Sequence, residues 1–202
     1  MGEHMNVSRL GLAAAALICA SAPAAAQLKN GSFEKPKLAS GTEQIVNAGD
    51  KIGPWTVVGT GNVALIGPDF SIGDLSLQAK KGLQFVNLGG SQNTKSGIEQ
   101  TFKTVPGTQY LLWFRIGTAL SHDAGFGPDS TVDVKVDGES RGSITVFGHA
   151  MGQDQTRVTW RKVGIGFTAV NATTTVDFLD GDGPFDGFCG VDGFSLTIQN
   201  GP

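Results

Sequence analysis

A chain of 202 residues that is 40% hydrophobic and 16% charged is too apolar for a disordered tail, and its 30 glycines follow neither a collagen period nor a heptad. The length suits one domain with a core of its own. A formal net charge of -3 and a pI near 5.5 give no electrostatic reason to bind a phosphate backbone or anionic lipid, so nucleic acid is not an expected partner.

In chain order, residues 1–26 come first and read as an export signal. Arg9 precedes the apolar stretch from Leu10 to Ala20, and Ala24, Ala25 and Ala26 supply a small-residue end, so cleavage is expected before Gln27. The apolar stretch is too short to cross about 30 Å of hydrocarbon as a helix, and no membrane span is expected. Met1 and Met5 both suit as the native start. Cys19 leaves with the leader, and Ile18 before it argues against lipid attachment. Cys189 is then alone, without a disulfide partner, and reads as a small buried filler. Residues 27–202 are expected to form a single exported domain, periplasmic or extracellular.

Beyond Gln27, short alternating or β-rich runs recur between Gly, Pro, Asn and Asp clusters, with no long apolar stretch of helical period. Strands are predicted around Thr56 to Val58, Asn62 to Ile66, Gln84 to Leu88, Gly97 to Thr104 and Gln109 to Gly117. Further strands are predicted around Thr131 to Val136, Ser143 to Phe147, Thr159 to Thr168, Thr174 to Leu179 and Gly193 to Ile198. So many strands without helices predict an all-β, two-sheet sandwich. Alternation puts Tyr110, Leu112, Phe114 and Ile116 on a core face, with Leu111, Trp113 and Arg115 opposite. Val132, Val134 and Val136 likewise face inward, and Asp133, Lys135 and Asp137 face water. Two polar, glycine-bearing loops, Ser121 to Ser130 and Gly148 to Arg157, are natural places for binding groups.

Several motifs imitate chemistry. Gly138-Glu139-Ser140-Arg141-Gly142 matches the pattern of a hydrolase nucleophile elbow, but it joins two strands and follows Asp137, so it reads as a hairpin turn. Gly59-Thr60-Gly61-Asn62-Val63-Ala64 lacks the helix that a dinucleotide fingerprint requires. His122 and His149, one in each polar loop, could converge with Asp123 on a metal or a ligand, although solvated loop histidines are the plainer account. Asp180, Asp182 and Asp186 on a glycine-rich turn offer hard oxygen ligands of the kind calcium prefers, against the plainer reading of an Asx-type turn.

Four segments form an ordered series: Leu28-Lys29-Asn30-Gly31-Ser32-Phe33-Glu34, then Pro54-Trp55-Thr56-Val57, then Gly97 to Phe102 running into Val105-Pro106-Gly107-Thr108-Gln109-Tyr110, and finally Val191-Asp192-Gly193-Phe194-Ser195-Leu196. The series resembles a secreted jelly-roll family, the galactose-binding-like sandwiches grouped as domain-of-unknown-function 642 of plant cell walls and the bacterial choice-of-anchor C proteins. Related carbohydrate-binding sandwiches hold a structural calcium between their first and last strands, which implies Glu34 and Asp192 as ligands here. Gly193 departs from relatives that often have a second Asp or Asn at that position.

The resemblance implies a non-catalytic secreted module that associates with cell-wall or extracellular polysaccharide. Trp113 stands where relatives usually carry a small polar residue. With Arg115 it would make an aromatic plate and an adjacent donor for a sugar, unless a loop or the N-terminal segment covers it. An extracellular protein-interaction or matrix-structural role is the alternative reading, and a hydrolase is a remote third.

Overall fold

The computed structural model describes residues 27–91, 95–121, 124–152, 155–183 and 187–199. The predicted leader lies outside these residues, as do His122, Asp123 and Asp186. The strands in order are β1 (Glu43–Asn47), β2 (Lys51–Ile52), β3 (Trp55–Gly59), β4 (Asn62–Ile66), β5 (Ser71–Ile72), β6 (Leu75–Ser76) and β7 (Phe85–Asn87). They continue with β8 (Ser96–Lys103), β9 (Gln109–Thr118), β10 (Asp129–Val136), β11 (Glu139–Phe147), β12 (Thr159–Thr168), β13 (Thr173–Asp180) and β14 (Gly190–Ile198). A 3-10 turn at His149–Met151 is the one helical element among the described residues.

Two six-stranded antiparallel sheets face each other, ordered β1-β4-β7-β14-β9-β12 and β11-β10-β13-β8-β3-β2, with β5-β6 a separate hairpin. This is the predicted all-β jelly-roll sandwich. Tyr110, Leu112, Phe114 and Ile116 are fully buried between the sheets, while Leu111, Trp113 and Arg115 are half-buried on the other face. Val132, Val134 and Val136 point inward as the alternation requires, opposite half-buried Asp133 and Lys135.

Aromatic rings join the layers. Phe178 of the second sheet meets Phe114 at 4.9 Å and Phe194 at 4.7 Å between ring centroids, and Phe114 stacks on Phe194 at 5.4 Å. Trp55 and Phe33, 5.6 Å apart, close one side of the cluster. The opening motif is tied to the closing one through backbone, since the Phe194 N–H donates to the Gly31 carbonyl at 2.8 Å. A β-carbon on Gly31 would lie 2.3 Å from the Phe194 oxygen, so only glycine allows that approach. Gln100 pins the N-terminal segment to β8, accepting the Lys29 N–H at 2.8 Å and donating back to its carbonyl at 3.0 Å.

The structure adds β1, β2, β5 and β6, which the sequence pattern did not reveal. These strands are short and, apart from Val46, Ile52 and Leu75, sit largely on the surface, so no apolar alternation marks them. β11 begins at Glu139, four residues before the predicted start at Ser143. Asp137 (φ 53°) and Gly138 (φ 81°) alone make the turn. A register shift after Val134 then absorbs the extra residue beside Gly142. Ser140 is therefore an exposed strand residue, and the elbow-like motif is a hairpin.

Candidate functional site

The outer face of the first sheet is built from alternate residues of three strands. The register aligns Trp113 of β9 with Gly164 of β12 and Ser195 of β14, and Arg115 with Lys162 and Asp192. Gly117 aligns with Trp160. Glycines make seats for the indoles: a β-carbon on Gly164 would lie 2.6 Å from Trp113 Cζ3, and one on Gly117 would lie 2.8 Å from Trp160 Cζ3. Lys162 Nζ sits 4.2 Å from the centroid of the Trp113 ring, a cation-π contact.

Only part of this face is covered. Leu75, Leu77 and Ala79, from the segment that carries β5 and β6, pack against Ala64, Ile66, Phe85 and Phe188 as a second small core. Trp160 closes that core, with its ring edge-on to Phe85 at 5.2 Å and its Nε1–H donating to the Gln78 carbonyl at 3.1 Å. Past Trp160 the covering ends, leaving Trp113, Arg115 and Leu111 half-buried and Lys162, Gly164 and Ser195 exposed.

The covering segment is held to β14 by carboxylates. Asp192 is wholly buried, and its Oδ2 accepts the N–H groups of Lys80 at 2.8 Å and Lys81 at 2.6 Å. Glu34 Oε1 accepts those of Leu83 at 2.9 Å and Gln84 at 3.0 Å, so both residues grip one loop. Burial pushes the Asp192 carboxyl up to about 6, against the opposing pull of the Lys81, Gly193 and Lys80 N–H groups and the charge of Arg115. Its Oδ1 is buried with no hydrogen-bond partner. Gly193 supplies a bulge with φ 65°, which lets Asp192 and Ser195 both face outward while Phe194 turns into the core. A side chain there would be strained, and its β-carbon would meet Arg115 Nη1 at 2.5 Å.

Of the remaining sequence-predicted residues, His149, Asp180 and Asp182 are described and do not join this site. His149 is exposed on the 3-10 turn at the loop end of the sandwich, and His122 and Asp123 lie outside the described residues. The Asp180 to Asp182 segment is a turn: Asp180 Oδ1 accepts the Asp182 N–H at 3.1 Å, and Asp182 Oδ1 accepts the Thr131 N–H at 2.7 Å. Its close neighbour is the buried Cys189, whose ligand atom lies with theirs within a 4.8 Å span. The sequence reading overlooked Lys162 and Gly164. Its usable signal was Gly164 and Gly166 alternating with Val163 and Ile165, which marks an outward face without side chains to cover a neighbouring ring.

The profile of a family described as protein of unknown function (DUF642) matches residues 26–191. The chain belongs to this family. Among curated proteins no relative of this DUF642 member is found. Among solved structures, a cyclase from Fischerella sp. TAU, in complex with 4-(1H-indol-3-yl)butan-2-one, is similar with TM-score 0.60 and 16% identity, over 85% of this chain and 96% of that one. A family 35 carbohydrate binding module from Clostridium thermocellum is similar with TM-score 0.47 and 18% identity, over 77% and 97%. The CBM22-1 xylan-binding domain from Paenibacillus barcinonensis Xyn10C is similar with TM-score 0.47 and 11% identity, over 86% and 92%. The likeness to the cyclase concerns the fold of the DUF642 chain alone. No helix among its described residues is long and apolar enough to cross a membrane.

Proposed function

We propose that this DUF642 chain is a secreted, non-catalytic module that binds cell-wall or extracellular polysaccharide on the outer face of its first sheet. The observation that carries the reading is Trp113, seated over Gly164 beside Arg115 on the stretch of sheet that the covering segment leaves open. An indole face stacks on the C–H face of a sugar ring, and an arginine fork donates to hydroxyls or carboxylates at its edge. The carbohydrate-binding sandwiches among the structural neighbours accord with this use of the fold, while the cyclase shows that chemistry can be grafted onto a similar one.

A structural calcium belongs to the same proposal. The buried, partnerless Oδ1 of Asp192 suits a hard cation, and Glu34, which has committed Oε1 to the loop, retains Oε2 as a second ligand atom. The ion would neutralise Asp192 and fasten the loop that limits the open face.

The test is retention of the exported domain on a panel of soluble and insoluble polysaccharides, with and without calcium, alongside Trp113→Ala. Retention on at least one glycan that the variant loses is the expected result. Equal retention of the variant would move the site elsewhere, and no retention of either protein on any glycan would favour the protein-interaction reading.

A further inference from the structure

The open face is positively charged on a chain that is negative overall. Among the outward positions of β9, β12 and β14 the one carboxylate is Asp192, which is wholly buried. Around it lie cations from three elements. Arg115 and Lys162 are register partners, and Lys162 reaches over the Trp113 ring. Arg115 Nη1 lies 2.5 Å, and Lys81 Cβ 3.6 Å, from the point where a Gly193 side chain would begin. Lys80, fixed beside Lys81 by Asp192, lines an open cleft of about 400 Å³ together with Arg157, Met151 and Trp160. Arg115 feels the charge of Asp192, but no ion pair holds Lys80, Lys81 or Lys162 among the described residues.

Such a cluster repels itself, and an anionic ligand relieves that repulsion while gaining a positive field concentrated over one strip. The strip runs from Trp113 past the Arg115 and Lys162 pair to Trp160, four residues along β12 and so about 13 Å at the rise of an extended strand. It is a linear surface in which an aromatic face and cations occur together. A sugar that carries its own carboxylate meets both with one unit, its ring on the indole and its carboxylate on the arginine fork or an ammonium.

We infer that the polysaccharide bound on this face is a polyuronate, held by Trp113 and the cation arc of Lys80, Lys81, Arg115 and Lys162. This rests on the glycan-binding reading above and adds the charge of the ligand. Lys162 is the gate of the platform: it covers the Trp113 ring in the free protein and swings to a carboxylate when a sugar takes its place.

The experiment is titration of the domain with short oligogalacturonates, their methyl esters, a panel of neutral oligosaccharides and dextran sulfate. The wild type, Lys81→Gln/Lys162→Gln and Trp113→Ala proteins are compared, with melting curves to verify folding. Oligogalacturonate is expected to bind, the neutral ester to bind at least several-fold more weakly, and the double charge variant to lose about two- to tenfold in affinity with an unchanged melting curve. Added salt should weaken the acid complex and leave any neutral complex untouched. Equal affinity for acid and ester, or binding of neutral glycans only, would overturn the polyuronate while keeping the Trp113 platform. Dextran sulfate bound as tightly as oligogalacturonate would reduce the surface to an anion exchanger and overturn it too. If no saccharide of any charge binds, both the inference and the reading beneath it fail.

Discussion

Gly193 and Gly164 are single residues on which the surface depends, for opposite reasons. At Gly193 the backbone itself requires glycine, because φ is 65° in the bulge that separates Asp192 from Ser195. Gly193→Ala should lower stability by about 1–2 kcal/mol, the usual penalty of a left-handed residue with a β-carbon. That is a melting temperature lower by roughly 2–8 °C for a domain of this size. At Gly164 the backbone is ordinary, and the space is what matters, since a β-carbon would fall 2.6 Å from Trp113 Cζ3. The indole can swing away, so Gly164→Ala should leave the melting curve nearly unchanged while weakening glycan retention. Trp113→Ala should weaken retention by about 1 kcal/mol or more, roughly fivefold, again with little loss of stability. Affinity measurements paired with thermal melts separate these outcomes.

At the scale of elements, the loop from Lys80 to Gln84 is clasped between Glu34 and Asp192, which joins the segment before β1 to β14. Calcium at that clasp should raise the melting temperature of the wild type and EDTA should lower it, whereas Asp192→Asn should be insensitive to both; a wild type indifferent to EDTA removes the ion from the account. On the other sheet, Asp177 of β13 stands opposite Glu99 of β8 and Lys135 of β10, with Asp137 nearby. Burial, then the Glu99 hydrogen bond and charge, push the Asp177 carboxyl up to about 6, with Lys135 pulling the other way and Asp137 adding to the rise. The folded state therefore holds a proton that the unfolded chain has released between about pH 4 and 6. Stability from this pair is greatest at the acid end of that window and falls as pH rises through about 6. Because the group is half-exposed, solvent screening limits the effect to about 1 kcal/mol or less. Urea melts at pH 5 and pH 7 should show the slope, and Asp177→Asn should reduce it, the remainder coming from Asp192, whose carboxyl is also pushed up to about 6.

For the whole molecule, stability resides in the rings that bridge the two sheets. Phe178→Ala removes contacts to Phe114, Phe194 and Trp55 together and should cost about 3–5 kcal/mol, measurable by denaturant unfolding. This interior was legible in the sequence because strands such as Gln109 to Thr118 have one wholly buried face, and burial forces strict alternation on them. β1 and β5 have no such face and left no pattern. The site was legible in part: parity put Trp113 and Arg115 outside the core, but no local signal could place Lys162 over the ring or show that the covering segment stops at Trp160. The sequence by itself determined the all-β class, the inward set of side chains and the family of the chain, since each is written in short-range periodicity and ordered motifs. Tertiary structure alone decided which part of the outer face stays open, that the Asp180 to Asp182 segment forms a turn, and that Lys80, Lys81, Arg115 and Lys162 gather on one surface. Those outcomes depend on strand register and loop coverage between residues far apart in the chain, which local periodicity does not encode.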